Sequence, residues 1–124
     1  MYRLSMDTEV SLDRTLPVNT ALLPGTLDML VLKTLTRGPL HGYGIAQYLL
    51  QRSDNVLAVG EGSLYPALQR LLANGWAEAE WGASETGRRA RFYSLTTAGR
   101  KRLREEEREF DRMIDAIRVV LREA

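Results

Sequence analysis

The sequence predicts a mainly α fold with one small β-hairpin and a long C-terminal helix. Three observations carry that expectation. Apolar residues recur at helical spacing through three short stretches between Pro24 and Gly75. The period then changes, because Trp76–Trp81 partly alternates and Arg91–Leu95 is rich in strand formers. From about Thr97 a near-heptad of apolar residues runs through a stretch otherwise dense in charge.

The first helix is expected to open at Pro24-Gly25-Thr26 and run to about Thr36, with Asp28 in its favourable first turn. Leu27, Leu30, Val31 and Leu35 make one apolar face, and Met29 and Leu32 carry the apolar surface around toward the other side. A helix apolar on more than one face needs cover on more than one side. In so small a domain, a second subunit is the expected source of that cover. Residues 37–42 read as a turn, with His41 as a capping or packing residue. The second helix spans about Gly42 to Arg52, with Ile45, Ala46 and Leu49 inward and Tyr43 and Tyr48 at its flanks.

The third helix organises the rest. Ser63 reads as its N-cap, Pro66 as a first-turn proline, and Asn74-Gly75 as a left-handed stop. Leu64, Leu68, Leu71 and Leu72 share one buried face, which leaves Tyr65, Pro66, Gln69, Arg70 and Ala73 outside. An exposed aromatic beside an amide and a guanidinium suits contact with phosphates and base edges. It also suits an ordinary amphipathic surface helix. Next come two strands, 76–81 and 91–95, joined by a long polar tip that ends in Arg88, Arg89 and, at the strand start, Arg91. A charged tip of this kind can be a solvated turn as well as a basic contact. A lone hairpin is marginal in water, so it must pack on the helices, through Trp76 or Trp81 with Tyr93 and Leu95.

Thr96 or Thr97 caps the last helix, which is expected to reach about Arg122. Its stripe is Leu103, Phe110, Met113/Ile114, Ile117 and Val120/Leu121. No other element of the chain is long enough to cover a seam of that length. The expected partner is a second copy, with Met29 and Leu32 joining Leu103, Phe110, Ile114, Ile117 and Leu121 in a homodimer interface. Residues 1–22 show no sustained period and read as an N-terminal arm, with a short dimer-clasping helix as the alternative.

Composition narrows the function. With no cysteine and one histidine, neither a disulfide nor a transition-metal centre is expected, and no cofactor motif is present. No apolar run approaches the roughly 20 residues that span a bilayer, and no leader-like segment opens the chain, so a cytoplasmic location is expected. A net charge of +1 does not announce a nucleic-acid binder; any basic footprint is local, at Arg88, Arg89 and Arg91. No convergent nucleophile, base and cofactor site can be assembled from these residues, so no enzyme and no catalytic residue is expected.

Three short helices, a hairpin with a basic tip and a long helix form the order of a winged helix-turn-helix with a C-terminal dimerisation helix. At that point the sequence resembles the PadR family of bacterial transcriptional regulators. The resemblance rests on LLPGTLDMLVLKTL (22–35), GPLHGYGIA (38–46), GSLYPALQRL (62–71), GWAEAEW (75–81) and GRRARFYSLTTAGR (87–100). The short C-terminal region is similar to the branch with a single terminal helix. The resemblance implies a DNA-binding unit over residues 23–96, a dimerisation helix over 97–124, and a homodimer that represses transcription from a palindromic operator. It also implies that Tyr43 and the Ser63, Leu64, Tyr65, Pro66 turn lie near double-stranded DNA, with Arg88, Arg89 and Arg91 on a wing at the backbone. Gln69 and Arg70 are the expected base readers. The family resemblance further allows a small hydrophobic or phenolic effector, which Trp76, Trp81, Met29 and Phe110 would line; the favoured reading of the same side chains is core. The alternative reading is a winged-helix protein-interaction module that never touches DNA.

Overall fold

The computed structural model describes residues 24–122; the arm expected over residues 1–22 lies outside them. The elements run α1 (Pro24–Leu35), β1 (Leu40–His41), α2 (Gly42–Arg52), α3 (Glu61–Ala73), β2 (Ala77–Ala83), β3 (Arg89–Leu95) and α4 (Thr97–Arg122). The sheet is antiparallel with order β1-β3-β2, so the expected two-stranded hairpin gains a third, short strand. Leu40 pairs with Tyr93 and His41 with Phe92. Pairing that remote in sequence is what turns an expected turn into a strand. The β2–β3 register runs from Ala77↔Leu95 to Ala83↔Arg89, which lengthens both strands and shortens the tip to residues 84–88.

α1 is the central helix. Leu27, Val31, Leu32 and Leu35 are buried among Ile45 and Leu49 of α2, Leu64, Leu68 and Leu71 of α3, Tyr93 of β3 and Leu103 of α4. Leu32 is 0% exposed and Met29 is also buried, so the cover expected from a second subunit comes from the chain itself. The first turns of α4 supply part of it, pinned by an ion pair between Lys33 and Glu107 at 3.4 Å. Thr34 is buried in the same helix, and its hydroxyl donates to the Leu30 carbonyl at 2.8 Å, which leaves no unmet polar group there. Asp28 lies beyond the first turn, where it was expected, and pairs with Arg70 instead.

The helix ends follow backbone hydrogen-bond needs. His41 Nδ1 accepts from the Gly44 N–H at 2.9 Å, which makes His41 the N-cap of α2. α3 starts earlier than expected: Gly60 is its N-cap, without a side-chain bond, and the Gly60 carbonyl accepts from Ser63 and Leu64. Ser63 therefore sits inside the first turn, and Pro66 lies within the helix. The missing Pro66 N–H leaves the carbonyl four residues back, on exposed Gly62, to solvent. At the other end Gly75, at φ +73, allows the Trp76 N–H to reach the Leu71 carbonyl and its own N–H the Leu72 carbonyl, a Schellman stop.

A single threonine then joins α3 to α4. Thr96 Oγ1 accepts from the Gly99 N–H at 2.9 Å, so it is Thr96 that caps α4. The same hydroxyl donates to the Gly75 carbonyl at 2.7 Å, and the Thr96 N–H donates to Trp76 at 3.1 Å. Gly99 is buried so close to this joint that an added Cβ would collide with the Trp76 carbonyl oxygen. Among the described residues of α4, only Gly99 and Leu103 are buried. The remainder of this 26-residue helix, about 39 Å long at 1.5 Å per residue, reaches past the core.

Candidate nucleic-acid interface

Two elements frame the site. On α3, burying Leu64, Ala67, Leu68 and Leu71 turns Tyr65 and Gln69 outward. On the hairpin, the alternation of side chains puts Ala77, Ala79, Trp81 and Ala83 on one face with Leu95, Tyr93, Arg91 and Arg89. Near its base this face is core, since Ala77 and Tyr93 are buried. Toward the tip the same face passes beyond the helices and carries Trp81, Arg91 and Arg89 into the open.

Between them lies a groove of about 1100 Å³. Tyr43 of α2 and Tyr65 and Gln69 of α3 form one wall, and Trp81, Arg88, Arg89 and Arg91 of the wing form the other. His41 and Tyr93 close its floor side, and Glu85 is its one carboxylate. None of the three arginines forms an ion pair with a described carboxylate. Arg89 instead lies over the Trp81 ring at 4.6 Å, and Arg91 over Tyr93 at 5.9 Å. The groove thus offers unpaired planar donors on one side and an amide with two phenols on the other. Guanidinium groups match phosphate oxygens, and a glutamine side chain can pair with the major-groove edge of adenine.

Of the DNA-face residues expected from the sequence, Tyr43, Tyr65, Gln69, Arg88, Arg89 and Arg91 meet around this groove. Ser63 and Pro66 are exposed on α3 but do not line it. Leu64 is buried and belongs to the core. Arg70 is turned away: its Nε and Nη2 donate to the two Asp28 oxygens at 3.0 and 2.8 Å. That hydrogen bond, helped by the opposite charge, raises the Arg70 pKa despite partial burial. Arg70 therefore ties α3 to α1, and Gln69 is the polar α3 side chain, besides Tyr65, that faces the groove. Of the two tryptophans expected as alternatives for packing the hairpin, Trp76 meets the core and Trp81 stands exposed in the groove. The register sets Trp81 opposite Arg91 on the same face as buried Ala77, past the point where the core ends.

Residues 31–105 match the model of the transcriptional regulator PadR-like family. The chain belongs to that family. Its members are transcriptional regulators, not enzymes. The PadR-like chain is similar to a transcriptional regulator from Clostridium thermocellum, at 29% identity and a TM-score of 0.69, over 75% of this chain and 90% of the other. It is similar to a PadR family transcriptional regulator from Eggerthella lenta, at 31% identity and a TM-score of 0.67, over 78% and 82%. In sequence it is 29% identical over 93 residues to an uncharacterized protein X of Lysinibacillus sphaericus, covering 75% of this chain and 85% of that one. The four helices and the small antiparallel sheet of the PadR-like chain are those of a winged helix.

The residues named for an effector do not converge. Trp76 packs at the edge of the core under Arg102, whose guanidinium lies 4.7 Å from the ring centre. Trp81 is on the wing, while Met29 and Phe110 line a cleft of about 360 Å³ between α1 and α4 with Leu30 and Lys33. Among the described residues no cluster is suited to hold a metal ion, and no helix is long and apolar enough to cross a membrane.

Proposed function

We propose that this PadR-like regulator binds double-stranded DNA sequence-specifically and acts as a repressor. The observation that carries the reading is the groove itself: exposed Tyr43, Tyr65 and Gln69 face three arginines that no described carboxylate neutralises. In this reading α3 enters the major groove and the wing follows the backbone into the adjacent minor groove. Gln69 reads a base edge, and Arg88, Arg89 and Arg91 meet phosphates. Ser63 and Pro66 lie at the α3 end that approaches the duplex first.

The functional unit is a homodimer joined through Phe110, Ile114, Ile117 and Leu121 of α4. The exposed apolar side chains of the distal helix support that assembly. Leu32, Met29 and Leu103 are enclosed by their own chain and have little surface to add. Two copies present two α3 helices to a palindromic operator, with half-sites about 34 Å apart. The α1–α4 cleft beside Phe110 would then border the dimer seam, where a small hydrophobic effector could loosen the assembly. Residues 23–96 serve as the DNA-binding unit and 97–124 as the dimerisation helix, in the cytoplasm where the operator is.

Selecting bound duplexes from a random pool tests the reading and yields the operator. On that duplex, log affinity is expected to fall with log salt by about 0.9 per phosphate neutralised. Replacing Arg88 and Arg89 with alanine should reduce that slope by about 1 per arginine and weaken binding to all sequences alike. Gln69→Ala should instead relax preference at one base position. An unchanged salt slope in the double arginine variant removes the wing from the DNA.

A further inference from the structure

The exposed indole on the wing calls for a reason. Trp81 is 58% exposed, and the register gives it the same face as buried Ala77. What it contacts on that face, beyond the end of the core, is the Arg89 guanidinium at 4.6 Å. We infer that Trp81 is a positioning residue for phosphate recognition: its ring holds the Arg89 guanidinium ready on the groove side of the wing. The inference rests on the DNA-binding reading and adds a role to it.

Physical reasoning and a contrast within the chain support this assignment. An arginine at a hairpin end has many rotamers, and fixing one of them costs entropy at the moment of binding unless it is already fixed. A ring face fixes a guanidinium without consuming its N–H donors, and indole is the best of the aromatic faces. A carboxylate would consume them. The second tryptophan of the chain supplies the contrast. Arg102 lies over Trp76 at 4.7 Å, nearly the same separation, but its guanidinium is engaged by Glu106 at 2.6 Å. Arg89 has the stack and no described ion-pair partner. Arg91 repeats the arrangement more loosely over Tyr93, at 5.9 Å. On the groove side of the wing, Arg89 and Arg91 therefore both rest on rings.

A double-mutant cycle on the selected duplex, read by fluorescence polarisation at fixed salt, tests the inference. Trp81→Ala is expected to weaken binding about three- to fivefold, the size of an exposed cation–π contact, with an unchanged melting temperature. Trp81→Phe should retain part of the affinity, because a weaker ring face remains. In an Arg89→Ala background, Trp81→Ala should cost nothing further, since the group it holds is gone. If Trp81→Ala costs as much in that background as in the unsubstituted chain, Trp81 acts independently of Arg89 and the inference is overturned. No loss from Trp81→Ala alone overturns it as well, while leaving the DNA-binding reading in place. If the unsubstituted chain binds no duplex in the selection, both fall together.

Discussion

The two ends of α4 are written in the same pattern and end in opposite environments. Leu103, Phe110 and Ile117 fall at seven-residue spacing on one helix, yet they are 5%, 36% and 45% exposed. Near Leu103 the helix crosses α1, and α1 takes up the apolar side chain together with the Lys33–Glu107 pair. By Ile117 no element among the described residues remains alongside. Periodicity marks a face that must be covered; it does not say by what. The proximal half of the stripe closes the chain's own core, and the distal half is what the proposed dimer would use as its seam.

That contrast can be broken by substitution. The largest effect is expected at the proximal end. Leu103→Ala should cost about 2–5 kcal/mol of folding free energy, because it leaves a cavity under α1. Denaturant unfolding checks this, and a cost below about 1 kcal/mol would mean that the proximal turns are not core. Thr96→Val should cost about 1 kcal/mol in the same assay, through loss of the α4 cap and of the bond to Gly75. Here a loss much beyond about 2 kcal/mol would point to a joint that supports more than the cap. At the distal end Ile117→Asp should change the stability of the isolated chain by no more than about 0.5 kcal/mol. Its effect belongs to association: sedimentation should shift from dimer to monomer at concentrations where the unsubstituted protein is paired. Unchanged sedimentation would take Ile117 out of the seam, and a folding cost like that of Leu103→Ala would erase the difference between the two ends.

The candidate interface shows the same division. The outward placement of Tyr65 and Gln69 was legible, because the leucines of α3 must face inward and the remainder follows from 3.6 residues per turn. Arg70 lies on the same exposed arc by spacing alone, but Asp28, 42 residues earlier, captures it. Pairing between residues that far apart depends on how α1 and α3 cross, which no local pattern records. Which of the two tryptophans packs the hairpin is undecided by spacing for a related reason. An alternating strand announces an inward face, but the distance at which the core beneath it ends is set by the helices.

What the chain determines by itself are the local features with local causes. These are the three short helices, the Gly75 stop, the change of period at the hairpin, the cluster of arginines at its tip and the near-heptad of α4. Together with the ordered motifs, they sufficed to point to the winged helix. Tertiary structure alone decided the rest. It made Leu40–His41 a strand by pairing it with residues more than fifty positions away, enclosed Leu32 and Met29 within one chain, extended the hairpin strands over Arg89, and moved Arg70 from the groove to Asp28. The first group follows from backbone sterics and side-chain period within a few turns. The second follows from which surfaces meet once the chain closes, and neighbours in space need not be neighbours in sequence.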